Sequence, residues 1–306
     1  MTIRETPAAP DDVPIPYMAR TRAYYQALGY GEPYRWAHYA EVPFAPLPKP
    51  LAACRVALVT TAARYDPEHG DQGPGAPYNA AAKFHRVYAH AIGGEPDVRI
   101  SHVTYDRAHT SAADPNTWFP LALLKRRADG KIGALARRFY GMPTTRSQRT
   151  TLEQDAPDLL RAVRKDQADV AILVPNCPIC HQTVSLAARH LEAAGIPTIV
   201  MGCAKDIVEH VGVPRFLFSD FPLGNSAGKP HDPQSQALML DLALSLLRTA
   251  PAARTTLQSP LRWSADAAWK RDFCNIERLS EADRARLHRQ HEEHRLVARA
   301  GREASR

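Results

Sequence analysis

The chain has 306 residues, 44% hydrophobic and 23% charged, which is ordinary globular composition and long enough to bury a sizeable core. No apolar run approaches the roughly 18 residues of a membrane span, and the opening MTIRETPAAPDDVPIPYM lacks a basic start followed by an apolar stretch, so no membrane association or secretory signal is expected and the expected compartment is cytoplasmic, where thiols stay reduced. The net charge of +7 is carried mostly by arginines mixed with Glu and Asp, without an RNP motif, a zinc-finger spacing or a basic block, and reads as a solvated surface rather than a nucleic-acid site.

In chain order, residues 1–50 form a proline-rich arm with an aromatic cluster, Tyr17, Tyr24, Tyr25, Tyr30, Tyr34, Trp36 and Tyr39. Each proline interrupts the pattern, so one regular element is excluded. A short helix from about Tyr17 to Leu28, ended by Gly29, is expected, packed over the domain or over a second subunit of a homo-oligomer. Arg55–Thr60 reads as the first buried strand, Asp66–Pro77 as a loop, Ala80–Ile92 as a helix stopped by Gly93-Gly94, and Val98–Val103 as a second strand ending in Ser101-His102. Trp118–Arg127 and Ile132–Tyr140 show helical periodicity on either side of Asp129-Gly130, and Leu152–Lys165 is a stronger helix. A run of α/β units follows: strand Val170–Val174, helix Pro178–Ala194, strand Thr198–Met201, helix Ala204–Val211, strand Phe216–Phe218. Gln234–Leu247 is a further helix, and SEADRARLHRQHEEHRLVARAGRE suits a surface helix or a subunit contact. Short apolar strands alternating with helices predict an α/β fold with a Rossmann-like parallel sheet covered on both faces. The expected divisions are an arm (1–50), an α/β domain (51–250) and a helical C-terminal extension (251–306).

Three of the five cysteines lie in AILVPNCPICHQTVSLAARHLEAAGIPTIVMGC, Ala171 to Cys203. The strand ends before Pro175-Asn176, and Pro178 suits the first helical position. That makes Cys177 the N-cap and Cys180 the third helical residue, side chains that face one another. The free N–H groups and the positive end of the helix dipole favour a thiolate at Cys177, with Cys180 as its resolving partner. The position lies beyond the carboxyl ends of parallel strands, where open α/β sheets bind ligands. Three other readings compete: a zinc site completed by His181, His102 or Cys203, a CxxCH haem attachment, which the absent export signal disfavours, and a helix start with two buried small hydrophobes. CPxC also occurs in thioredoxins, but this motif lies after residue 170 in an α/β run, unlike a compact thioredoxin domain.

The blocks RISHVTYDR, ADPNTWFPLALLKRRADGKIGALARRFYG, ADVAILVPNCPICHQTVSLAARHLEAAGIPTIVMG and FSDFPLGNSAGKPHDPQSQALMLDLALSLL, in that order, resemble the selenoprotein B subunits of the glycine/sarcosine/betaine reductase and D-proline reductase family. The resemblance covers roughly residues 51–248. In that family the first position of the CxxC-like motif is often selenocysteine. Cys177 matches it, either as a natural cysteine version or as a cysteine standing in for selenocysteine. The resemblance implies reductive cleavage of a small molecule: Cys177 attacks, Cys180 resolves the adduct, and an external thiol or a thioredoxin-like redox partner restores the pair, with no cofactor bound. The family's amino-acid reductases work with a partner subunit carrying a pyruvoyl group. Nothing in this chain supplies one, so the expectation is the family's general chemistry in a stand-alone member.

Other residues are weighed by position. His102 follows a strand end and can serve as a general acid or base or as a packed histidine; Asp106 lies close by. His181 can stabilise a thiolate or face solvent. Asp114 or Asn116 can cap the helix that follows. Thr60, Thr61 and Tyr65 after the first strand, Asp106 and Asn116, Cys203 after a later strand, and Gly224 and Asn225 in the loop Phe221–Lys229 are candidates for substrate contact, and that loop can offer N–H groups to an anion. The loop is not a P-loop, and no GxGxxG follows the first strand. A cofactor-independent racemase or lyase would need a second thiol near Cys177 from the first half of the chain. Cys54 alone is available there, and it lies before its strand, at the wrong end of the sheet.

Overall fold

The computed structural model describes residues 13–304 apart from 101, 128 and 129. The first twelve residues of the expected arm, Ser101 in the expected second strand, Asp129 in the expected break and the last two residues lie outside the described ones. The strands in chain order are β1 (Arg55–Thr60), β2 (Ala63–Arg64), β3 (Tyr88–Ala91), β4 (Val98–Arg99), β5 (Ala134–Leu135), β6 (Arg138–Gly141), β7 (Val170–Val174), β8 (Thr198–Gly202), β9 (Arg215–Phe218) and β10 (Thr255–Gln258). The helices are α1 (Tyr17–Ala27), α2 (Leu121–Arg127), α3 (Gln148–Thr150), α4 (Ala156–Lys165), α5 (Pro178–Ala193), α6 (Lys205–Val211), α7 (Pro233–Thr249) and α8 (Glu281–Ala304). A π-helical turn, Thr151–Asp155, joins α3 to α4. None of the described helices is long and apolar enough to cross a membrane.

The main sheet runs β10-β9-β8-β7-β1-β6-β3, with β5 beside β1. Every pairing in it is parallel except β3 with β6. The expected Rossmann-like α/β architecture is therefore present, with one antiparallel edge strand. Side chains of the central strands alternate between two cores, as the pleat requires. Val56, Leu58, Ile172 and Met201 meet α2 and α7 on one face, and Ala57, Val59, Leu173 and Val200 meet α4 and α5 on the other. From β1 the chain passes to β6 on one side, then back across to β7 on the other. The β1/β7 boundary is thus where the chain reverses direction across the sheet, and the connections leaving these two strands open a crevice there.

Two expected helices are strands instead. Ala80–Ile92 forms no helix; its last part is edge strand β3. The Tyr88 ring lies over Gly141, where a Cβ would sit 1.9 Å from it, and the Tyr88 hydroxyl donates to the Ala62 carbonyl at 2.7 Å. Ile132–Tyr140 becomes β5 and β6, with Phe139 in one core and Tyr140 in the other. A period of two won over an apparent period of 3.6 because β1 offers these residues a ladder. The expected strand Val98–Val103 shrinks to β4, which pairs antiparallel with β2 outside the main sheet. Edge strand β10, TTLQ, had too little apolar character to stand out.

The arm packs on its own chain. A buried ion pair, Arg215 to Glu192 at 2.8 Å, anchors it: Glu192 accepts from the Ala45 N–H, Arg215 donates to the Ala45 carbonyl, and the guanidinium lies 4.1 Å from the Phe44 ring centroid. The C-terminal stretch forms the expected surface helix, α8, which docks through rings. His288 pairs with Tyr30 and His291 with Tyr25, at 5.0 and 5.5 Å between centroids, and the Tyr30 hydroxyl donates to Glu292.

Candidate active site

Cys177 caps α5 as its extended conformation requires (φ −129°, ψ 170°), with Pro178 at the first helical position and the Cys180 N–H donating to its sulfur at 3.2 Å. A ring nitrogen of His102 joins the two sulfurs, the three atoms lying within 4.8 Å of one another. All three residues are buried, and Cys177 and His102 line a cavity of about 240 Å³. The loop after β1 contributes as well. The Asn176 amide donates to the Thr61 hydroxyl at 3.2 Å, and Thr61 in turn donates to Cys180.

The pair titrates as a unit. Its first proton leaves below the ordinary thiol range: although burial opposes the charge, the Cys177 thiol, His102 and Thr61 hold it on Cys180. The second is pushed up, by burial first and then by the charge already on Cys180. Lys83 favours a charge on Cys177, the sulfur that faces the cavity.

His181 does not touch the sulfurs. It is buried, its Nδ1 donates to the Cys177 carbonyl at 2.8 Å, and its Nε2 accepts from the Cys203 and Ala204 N–H groups at 2.9 and 3.2 Å. Burial holds its pKa down to about 4, so the ring is neutral. Both nitrogens are committed to backbone, and His181 is a tether between the loops after β7 and β8.

The remaining candidates are dispersed. Thr60 accepts from the Ala62 N–H within its own turn. Tyr65 is largely exposed beneath Arg99. Asp106 is paired with His109 at 3.1 Å, and burial raises its pKa. Asp114 caps the turn at Asn116, whose amide donates back to it. Asn225 donates to Thr110 and the Pro222 carbonyl, and Gly224, at φ +105°, packs on Thr110. The Cys203 sulfur lies 3.5 Å from the Ser226 hydroxyl, and burial pushes its pKa up to about 12. Cys54 sits just before β1 and its thiol donates to the Lys49 carbonyl, at the other end of the sheet from Cys177.

The cavity walls were not foreseen as a site. The arm supplies Tyr25, Tyr34 and Trp36, the loop before β3 supplies Tyr78 and Lys83, and the segment after β6 supplies Arg146. The aromatic density of residues 17–39 was the one available signal.

No family model and no solved structure matches the chain. It is similar to the D-proline reductase subunit gamma of Acetoanaerobium sticklandii, 28% identical over 224 residues that cover 72% of this chain and 90% of that protein. It is also similar to the glycine reductase complex component B subunit gamma of Symbiobacterium thermophilum, 24% identical over 245 residues, 74% of this chain and 55% of that one. Both relatives are subunits of reductases. With the order of blocks around Cys177, both similarities support the expected resemblance to the glycine/sarcosine/betaine reductase and D-proline reductase selenoprotein B family.

Proposed function

We propose that the protein is a thiol-dependent reductase that cleaves a small molecule at Cys177. The observation that carries the reading is the meeting of two sulfurs and an imidazole beside a cavity that Cys177 and His102 line, at the sheet's switch point. For a substrate R–X, the Cys177 sulfur attacks X, the R–X bond breaks with its electron pair on R, and R takes a proton, which His102 can deliver, to become R–H. The Cys180 thiolate then attacks the Cys177 sulfur, forming the disulfide and releasing HX. The substrate gains two electrons and two protons, and two thiols become one disulfide. An external dithiol or a thioredoxin-like protein reverses the oxidation. A selenol at position 177 would follow the same balance. The relatives' names, which describe subunits of D-proline and glycine reductases, support a reductase and support further subunits as partners.

The test is to oxidise the reduced protein with diamide and map its cysteines by peptide mass spectrometry. One Cys177–Cys180 disulfide per chain, returned to two thiols by dithiothreitol, supports the reading. Oxidation that leaves both sulfurs free to alkylate defeats it.

The same triad favours one competing reading. Two thiolates and an imidazole are a suitable donor set for three positions of tetrahedral zinc. His181 and Cys203 are engaged elsewhere, so His102 is the one histidine that joins the cysteines among the described residues. Metal analysis separates the two: one zinc per chain surviving dialysis favours a zinc-binding module, and a metal-free protein with titratable thiols favours the reductase.

A further inference from the structure

The cavity above Cys177 has a chemical character that goes beyond the reductase reading and rests on it for its location. Its walls combine two features. The first is a set of rings, among them Tyr25, Tyr34, Trp36 and Tyr78. Tyr34 and Trp36 meet edge to face at 5.0 Å, and the Tyr25 and Tyr30 rings meet likewise at 5.9 Å. Such a frame leaves ring faces and edges for a flat guest.

The second feature is positive charge without a counter-charge. Lys83 is half-buried in the wall, and no carboxylate within ion-pairing distance is found for its ammonium among the described residues. Burial lowers its pKa, as does the neighbouring charge of Arg302, and Cys177 is the first acidic group that acts against this. Arg146, exposed on the lining, stacks on Tyr25 at 4.7 Å, and Arg22, also exposed, lines the same cavity. Among the described residues on the lining, Glu32 is the one carboxylate. An uncompensated, partly desolvated cation costs free energy unless a ligand supplies the opposite charge.

Rings alone would equally suit a quaternary ammonium group held by cation–π contacts. Three cations against one carboxylate rule in the other direction, because a cationic guest would be repelled. Size adds a bound: a cavity of about 150 Å³ holds a benzene ring, so about 240 Å³ accommodates a ring with a charged substituent and a reactive group.

We infer that the cavity is a binding site for a flat aromatic or heteroaromatic organic anion, its acidic group paired with Lys83 and its ring among the tyrosines. The anion enters past Arg146 and Arg22, and its ring system lies over the sulfur of Cys177. An aliphatic zwitterion would leave the rings unfilled and bring a second positive charge beside Lys83.

The test uses the full chain with Cys177→Ser and Cys180→Ser, so binding is read without any redox step and fails or succeeds independently of the reductase chemistry. The probes are 2-naphthoate, 2-naphthamide and a 2-naphthyl-trimethylammonium salt, followed by calorimetry and tyrosine and tryptophan fluorescence. The expected result is that naphthoate binds at least about tenfold more tightly than the amide, that the trimethylammonium salt does not bind, and that Lys83→Gln removes the preference for the acid while Lys83→Arg keeps it. Tyr78→Ala weakens acid and amide together. Equal affinity for acid and amide, an unchanged preference in Lys83→Gln, or preferred binding of the trimethylammonium salt each overturns the inference. In the cysteine-intact protein, naphthoate slows alkylation of Cys177 by iodoacetamide; no slowing at saturating naphthoate also overturns it.

Discussion

The loops after β7 and after β8 carry the same local sequence logic and opposite chemistry. Each is a buried parallel strand followed by a cysteine and a helix: Cys177 before α5, Cys203 before α6. A single histidine, His181, holds both, its Nδ1 on the Cys177 carbonyl and its Nε2 on the Cys203 N–H. What differs is the covering. Over Cys177 the arm arches and leaves a cavity, and a second thiol, His102 and Thr61 stand within reach. Over Cys203 the loop carrying Phe221 and Leu223 packs down with Ile15 and Tyr17, and the sulfur has a hydroxyl and a carbonyl for neighbours. On the proposed reading, a cysteine at the carboxyl end of a strand is inert by default and serves as a nucleophile where the covering layer leaves space and the neighbours share its charge.

The largest expected effect is the contrast in reactivity itself. Burial pushes the Cys203 thiol up to about 12, so it carries almost no thiolate at pH 6, whereas the Cys177–Cys180 pair gives up its first proton below the ordinary thiol range. Iodoacetamide at that pH should therefore label the pair, whose cavity-facing member is Cys177, at least about a hundredfold faster than Cys203, as read by timed quenching and peptide mass spectrometry. Comparable rates would remove the distinction between the loops.

The shared tether gives the next effect. The folded-state pKa of His181 is lowered to about 4, below its ordinary value of about 6.5. Between those values the unfolded chain binds a proton that the folded chain refuses, so the His181 contribution is fully present above about pH 6.5 and is lost as the pH falls to about 4. The loss amounts to about 3 kcal/mol. Urea melts of wild type and His181→Gln between pH 7 and 4.5 should show the wild type losing stability with acid and the variant losing less. Parallel curves would show that the ring does not hold the two loops. Gly202→Ala probes the same clamp, because a Cβ there would lie 2.8 Å from the His181 ring, which is buried and cannot withdraw.

How legible each loop was follows from where its determinants lie. The run from Val170 to Phe218 could be read directly, because short apolar strands and helices with Pro178 and Gly195 at their ends carry their own boundaries. The N-cap at Cys177 and its contact with Cys180 followed from spacing alone. Edge strand β3 and its neighbour β6 could not be read, since Ala80–Ile92 and Ile132–Tyr140 take their conformation from hydrogen bonds to strands far away in sequence. The covering layer was opaque for the same reason: Tyr25, Lys83, His102 and Arg146 converge on one cavity from four separate segments. Position after a strand suggested Thr60, Tyr65, Asn225 and Cys203 as substrate contacts. None lines the cavity, because the arm closes over the β1/β7 crevice and the loop 221–226 seals the neighbouring one.

A smaller effect is expected from the imidazole. His102 lies against the sulfur pair and helps to hold its charge. His102→Gln should slow Cys177 alkylation about ten- to hundredfold at pH 6 and move the onset of labelling to higher pH. A uniform slowing at every pH would indicate that His102 only shapes the cavity, and no slowing would indicate that Thr61 and the partner thiol suffice.

The smallest effect should come from Cys203, and it closes the comparison from the inert side. Its sulfur fills space among Ala204, Phe221 and Leu223 and makes only weak contacts. Cys203→Ala removes a group the size of a methyl from a packed interior, for a cost of about 1 kcal/mol. The backbone N–H that His181 accepts is retained, so the tether and the Cys177 cap persist. The variant should melt slightly lower and label at Cys177 at the wild-type rate. A large loss of Cys177 reactivity would mean that the two cysteines act together through His181, and that the loop after β8 belongs to the chemistry as well as to the scaffold.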